Sequence, residues 1–441
     1  MSGQRRAVSI FDISLGTAIG ALVIAVVTMM MTTPAAQAQT FRVVHSFTGG
    51  ADGANPGSGL TLDRGGHLYG TASRGGSPGV CQYPGGCGTV YRMTPHESNW
   101  VFGPLYTFTG SLNDGGYPES GVTVGPDGSL YGSTGLIYNL KPPESIPGSV
   151  FAPWTETLVY TFSYLPDGFG PSGNLAFDSA GNIYGTTEFG GRENGCGAGG
   201  LGCGSVYQLT KSNGSWTRTV LYKFEGASDG GQPIGGVIID RSGNLYGTTP
   251  ESFYGNFCCG AVFEVSPSGS GWTETTLGTF SFDTTGENSY SNLIFDPRGN
   301  LYGAGANGGA NGGGTVVELT PTGGGWTLNP LNSFTCSPCG WASGPYGGLA
   351  RDSAGNLYGT TREEGAYNRG SVFKLTPSGG TWIYTDLHDF TGGSDGATPE
   401  GSLLVDSSGN VYGTTYAGGQ TGASCDSGVS YQCGVVFEIT P

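Results

Sequence analysis

The chain has 441 residues, a formal charge of −16, 86 glycines and only 11% charged residues. This acidic balance excludes the basic patches that nucleic acid and anionic membrane surfaces require. With 36% hydrophobic and 12% aromatic residues there is material for a large core, so the glycines read as tight turns and not as disorder.

Residues 1–38 read as an export signal. Arg5 and Arg6 begin it, residues 15–31 are almost wholly apolar, and Ala36-Gln37-Ala38 is a small-x-small cleavage site. The mature chain is then 39–441, secreted or retained in the periplasm or cell envelope, with no stable membrane span after cleavage. The apolar run approaches the length of a span, so an uncleaved anchor is the alternative.

After residues 41–47, which have the alternation of a strand, one segment recurs seven times. Its tyrosines are Tyr69, Tyr131, Tyr184, Tyr246, Tyr302, Tyr358 and Tyr412, 53 to 62 residues apart, within sequences such as Gly-Asn-Leu-Tyr-Gly-Thr-Thr. A glycine-rich, β-forming repeat of this length is a propeller blade more readily than a solenoid coil. The sixth copy shows four strands: 348–352, a turn, 356–361, a loop, 370–375, a Pro-Ser-Gly-Gly turn, and 382–390. In the first hairpin Asp352 caps the turn and Gly355 takes positive φ. The fifth copy has Ala304 and Gly305 in place of Thr-Thr, and the second has residues 136–143 in place of the Gly-Gly loop.

The ends are complementary. Residues 41–47 match a fourth strand and residues 435–439 a third, so the first strand completes the last blade. The expected fold is all-β: one closed seven-bladed propeller of four-stranded blades. The loops between strands two and three and those between blades then share one face, and short turns occupy the other.

All ten cysteines follow the signal. Cys81/Cys87, Cys196/Cys203, Cys336/Cys339 and Cys425/Cys433 are local pairs, and Cys258/Cys259 are adjacent. An even count with an export signal points to disulfides in an oxidising compartment. The four histidines His45, His67, His96 and His388 fall at no zinc spacing from them. Whether the vicinal pair Cys258-Cys259 closes is open, because neighbouring Cα atoms sit closer than an unstrained bridge prefers.

These motifs resemble the GloVer-type tandem repeat family of secreted bacterial proteins. The shared pattern is Phe-x-Gly-x-x-Asp-Gly-x-x-Pro, then Gly-Leu-x-x-Asp-x-x-Gly-Asn-Leu-Tyr-Gly-Thr-Thr, then Gly-x-Val-Phe-x-Leu-Thr-Pro. It is clean at residues 224–249 and 390–415 and covers nearly all of the mature chain. The resemblance implies an exported propeller-like protein and carries no catalytic residue with it. The short hairpin motif is also similar to that of NHL-type propellers.

Candidate binding residues lie on the loop face. Asp52, Asp114, Asp167, Asp229 and Asp395 each open an Asp-Gly-x-x-Pro loop. Their repetition favours turn stabilisation, and a Ca2+ or polar-ligand ring is the functional alternative. Trp341 departs from the six tryptophans that begin fourth strands (Trp100, Trp154, Trp216, Trp272, Trp326 and Trp382). With Phe253, Tyr254 and Phe257 it forms the aromatic candidates for stacking on a sugar or a peptide side chain. Glu188, Glu193, Glu363 and Glu364 in second-to-third loops are the carboxylates available to a hydrolase. No nucleophile elbow, metalloprotease helix or phosphate loop is present in the sequence. The leading expectation is an exported binding or scaffold propeller that presents its loops to a glycan, peptide or surface partner, without cofactor. A glycan-active hydrolase or lyase and an envelope structural protein are the alternatives.

Overall fold

The first hairpin of each repeat shows what the recurring motif is for. In the third repeat Asp178 Oδ1 accepts the backbone N–H groups of Ala180 and Asn182, both at 2.9 Å. Its Oδ2 accepts Asn182 Nδ2 at 2.7 Å and the Tyr184 hydroxyl at 3.0 Å. Asp240, Asp352 and Asp406 repeat the arrangement. Where histidine replaces asparagine, His67 Nδ1 lies 2.9 Å from Asp63. Gly181 supplies the φ of 83° that the turn needs. Asp-x-x-Gly-Asn-x-Tyr is therefore a single hydrogen-bonded unit. The glycine after the tyrosine has a different cause. Gly359 pairs with Phe373 on the third strand, and a Cβ there would stand 2.4 Å from Phe373 Cζ.

The structure, a computed structural model, describes residues 39–76, 81, 85–143, 154–163, 168–191, 196, 201–226, 229–250, 259–335, 343–422, 425 and 432–441. Residues Phe41–Thr440 form one unit. It contains seven four-stranded antiparallel sheets, as expected of a seven-bladed propeller. The sixth blade runs Ala350–Arg351, Leu357–Thr361, Ser371–Ser378 and Thr381–Asp389. Its innermost strand is shorter than the expected 348–352. Gly347 and Gly348 instead press against the next blade, where a Cβ on Gly347 would stand 2.4 Å from Gly401 O. The expected loop at 136–143 is also corrected. Leu136–Lys141 is the third strand of blade two, and Thr134-Gly135 alone separate it from Leu130–Ser133. Burial of Ile137, Tyr138 and Leu140 accounts for the strand. Among the described residues no helix is long and apolar enough to cross a membrane. The predicted signal, 1–38, lies outside them.

Closure follows the expected route. Val435–Thr440 lies between Val411–Thr415 and the N-terminal strand Thr40–Ser46. Glu438, 4% exposed, locks the seam. It accepts Arg42 Nε at 2.6 Å, Trp100 Nε1 at 3.3 Å and the Tyr412 hydroxyl at 3.2 Å, which joins both ends of the chain to the first blade. Phe41 stacks on His388 and His45 on Phe102, so the two histidines at matching outer positions serve packing between blades.

Two further contacts recur between blades. Tryptophans at the start of fourth strands pack on the repeat tyrosine of the preceding blade, as in Trp154 on Tyr69, Trp326 on Tyr246 and Trp382 on Tyr302. The residue before the loop proline donates its N–H to the second cysteine of the preceding blade. Tyr117 bonds Cys87 O at 2.8 Å, Gln232 bonds Cys203 O at 2.7 Å and Asn55 bonds Cys433 O at 2.8 Å. The bridges Cys81–Cys87, Cys196–Cys203 and Cys425–Cys433 therefore sit at seams, and Cys259 is also disulfide-bonded. Cys258, Cys336 and Cys339 lie outside the described residues.

Gly359→Ala should cost about 1–3 kcal/mol through overpacking, measured as a lower midpoint in chemical denaturation. Tyr207→Phe at the corresponding ring position should leave the midpoint unchanged or higher, because the Tyr207 hydroxyl is buried without a partner among the described residues. Glu156 gives a pH test. Burial, then the neighbouring Asp114 charge, push its carboxyl up to about 7. The fold thus prefers the neutral form, and this contribution is full below about 4.5 and lost as pH rises through 7. Glu156→Gln should raise the melting temperature at pH 8 and leave it nearly unchanged at pH 4.

Candidate functional site

The loop that enters each blade carries the site. Its residue before proline takes left-handed backbone in several repeats: Asn55, Tyr117, Gln232 and Thr398 have φ between 54° and 57°. Such conformations cost on the order of 1 kcal/mol each for non-glycine residues. The hydrogen bond to the preceding blade, described above for the first three, and from Thr398 N to Arg369 O at 2.8 Å, holds them in place. The residue that follows the proline position then lines the centre of the ring. Going round the seven blades these residues are Gly57, Glu119, Ser172, Ile234, Tyr290, Tyr346 and Glu400. They border a cavity of about 1130 Å³ to which every blade contributes, so it lies on the axis. A second tier comes from the position after the second strand's Thr-Thr: Ser73, Gly135, Glu188, Arg362 and Tyr416. Both tiers belong to the loop face.

The chemistry of the cavity is uneven around the ring. Arg362 donates from Nε to Glu400 Oε1 at 2.8 Å and from Nη1 to Glu363 Oε1 at 3.1 Å. Its guanidinium lies 5.9 Å from the Tyr346 ring centre, and Tyr346 stacks on Tyr290 with centroids 4.7 Å apart. Burial pushes the Glu400 carboxyl above its ordinary value, against the pull of Arg362. Glu119 is open to cavity solvent but walled by protein on its other sides. That burial raises its carboxyl too, with Arg74 acting in the opposite direction. Burial also raises the Tyr346 hydroxyl. The cavity thus joins an aromatic platform to a fixed Arg–carboxylate fork, beside carboxyl groups whose ionisation is costly.

Of the Asp-Gly-x-x-Pro aspartates, Asp52, Asp114, Asp229 and Asp395 do not gather there. Asp52 accepts Thr48 N at 2.9 Å and lies 3.2 Å from His45 Nε2. Asp114 accepts the Tyr106 hydroxyl at 2.8 Å, Asp229 the Tyr222 hydroxyl at 3.0 Å, and Asp395 accepts Thr391 N at 2.8 Å. Each carboxylate is bonded within its own turn, to the strand that precedes it. Among the described residues no three His, Cys, Asp or Glu side chains come together in a way that could hold a metal ion. Asp167, Phe253, Tyr254, Phe257, Trp341 and Glu193 lie outside the described residues.

Of the loop glutamates, Glu188 and Glu363 line the cavity. Glu364 does not: its Oε1 is buried in the blade five–six seam without a partner among the described residues, and burial pushes the carboxyl up to about 8. Sequence reasoning missed Glu119, Glu400, Tyr290, Tyr346 and Arg362. The signal was present in the repeats. The position after the loop proline is Gly, Glu, Ser, Ile, Tyr, Tyr and Glu in turn, and this variation stands inside a nearly constant frame.

Three solved structures illustrate what the chain is similar to. A putative 6-phosphogluconolactonase from Bacteroides uniformis is 13% identical over 75% of this chain and 84% of its own, with a TM-score of 0.47. A gluconolactonase from Xanthomonas campestris is 12% identical over 71% and 82%, with a TM-score of 0.38. A putative oxidoreductase (glucose dehydrogenase) from Thermus thermophilus is 15% identical over 91% and 99%, with a TM-score of 0.42. Likeness at this level carries no argument for the chemistry of this chain. No curated protein matches it. The Gloeobacter/Verrucomicrobia repeat matches residues 28–198, 135–342 and 331–441, and the chain belongs to that family.

Proposed function

We propose that this protein is an exported binding propeller that captures a glycan in its axial cavity. The observation that carries the reading is the placement of variation. The blades repeat one packing scheme, while the positions that differ between repeats line the cavity and supply stacked tyrosines, an Arg–carboxylate fork and backbone-rich polar walls. Sugars present apolar ring faces and radial hydroxyls, which suit an aromatic platform bordered by charged hydrogen-bonding groups. A cavity of about 1130 Å³ exceeds what a drug-sized ligand fills, so an oligosaccharide segment fits the space. The disulfides and the predicted signal support export.

The hydrolase or lyase reading keeps one specific support: Glu188 and Glu363 border the same cavity as Glu119 and Glu400, whose carboxyls the surrounding protein raises. Carboxyl groups held in different environments are what acid–base cleavage of a glycosidic bond uses.

Two measurements separate these readings. In titration calorimetry against polysaccharide fragments, Tyr346→Ala should weaken binding at least tenfold while Tyr346→Phe, which keeps the stack, stays within about threefold. Equal affinity of wild type and Tyr346→Ala would remove the glycan reading. If the protein cleaves its ligand, product formation should vanish in Glu363→Gln while binding persists, and a polysaccharide screen without any product rejects the enzyme.

A further inference from the structure

The cavity wall is interrupted where blade one contributes glycine. Gly57 stands between Glu400 of blade seven and Glu119 of blade two in the ring of post-proline positions. A Cβ placed on Gly57 would lie 3.3 Å from Tyr416 Cδ2 and 3.5 Å from Glu400 Oε2. The missing side chain therefore leaves a notch bordered by an aromatic ring and a carboxylate oxygen.

The two carboxylates are unequally served. Glu400 Oε1 takes the Arg362 bond, and Oε2 accepts no hydrogen bond among the described residues. Glu119 accepts none among them either, and its charge opposes that of Glu400. Around the whole cavity stand Arg74, Arg362 and Arg369 against Glu119, Glu188, Glu363 and Glu400, so acids outnumber bases by one. Arg362 is committed to Glu400 and Glu363. Arg74 faces Glu119 across the same wall, so the oxygen left without a donor beside the notch is Glu400 Oε2, within a protein whose net charge of −16 attracts cations over longer range.

We infer that the notch at Gly57 takes a primary ammonium group of the ligand, held between Glu119 and Glu400 against the ring of Tyr416, so that the glycan is an amino sugar with free amines. This rests on the glycan reading and narrows its ligand class. An ammonium donates three hydrogen bonds, which matches carboxylate oxygens that lack donors, and it gains cation–π attraction from the tyrosine face. It also relieves the repulsion between the two acids, a cost that a neutral sugar leaves in place.

The test compares β-1,4-linked glucosamine hexamers with their fully N-acetylated counterparts in titration calorimetry at two salt concentrations. Wild-type protein should bind the free amine at least tenfold more tightly, and the advantage should shrink at high salt. Glu119→Gln should weaken the free-amine hexamer by a larger factor than the acetylated hexamer, removing most of the advantage. Gly57→Val, which fills the notch, should weaken the amine more than the acetylated form. Equal affinity of wild type for both hexamers overturns the amino-sugar inference and leaves glycan binding standing. Failure of both hexamers and of every neutral or acidic oligosaccharide overturns the glycan reading itself. Glu119-dependent binding of a lysine-rich peptide without any glycan binding assigns the notch to peptide amines and likewise overturns the inference.

Discussion

The architecture depends on backbone meeting backbone between adjacent blades, a contact that only glycine permits. A Cβ on Gly401 would stand 2.5 Å from Ser58 O, and one on Gly236 would stand 2.1 Å from Asn174 O. These contacts draw the innermost segments together around the axis. Further out, five loop prolines pack on a glycine of the preceding blade, as Pro118 does on Gly88 and Pro399 on Gly370. The abundance of glycine is thus a packing requirement of the ring, repeated in successive blades. The short innermost strands follow from the same constraint, since the residues ahead of them are occupied with the neighbouring blade.

That convergence also makes the site. Because the inner segments lie close together, residues from every blade border the same space, and a change at a single post-proline position alters one blade's part of the wall. The packing scheme tolerates such changes because these side chains border open space in the cavity. Polar side chains are used in two ways. Those in the turns, such as Asp178 and Asp395, are consumed by local donors. Those at the axis, such as Glu119 and Glu400, keep acceptor capacity for something else. Unsatisfied acceptors in a partly desolvated cavity are costly, and a ligand with matching donors recovers that cost.

Seam chemistry varies while seam geometry does not. At corresponding places stand His45 on Phe102, Glu156 beside Asp114, and Arg218 over Tyr160 and Phe162. Each solution fills a similar space with a different pair of side chains. At the closure seam Glu438 ties strand Thr40–Ser46, blade one and blade seven through a single buried carboxylate. A ring has no spare edge, so hydrogen bonds at this joint stand where peptide continuity stands elsewhere.

Periodicity alone was enough to read the seven blades, the turn roles of Asp352 and Gly355, the closing strand, the bridges Cys81–Cys87, Cys196–Cys203 and Cys425–Cys433, and the packing tryptophans. All of these are local, or recur at a constant spacing, so each repeat testifies for the others. The strand at Leu136–Lys141 escaped because its repeat lacks the usual glycine loop, and burial, not a turn signal, defines it. The axial cavity was beyond such reading for a different reason. Glu119, Tyr346, Arg362 and Glu400 are separated by long stretches of chain and mean nothing individually. Only closure of the circle brings them to one wall, where burial sets their charges and Arg362 reaches Glu400. Local hydrogen bonding is written residue by residue, whereas convergence at an axis is a property of the completed ring.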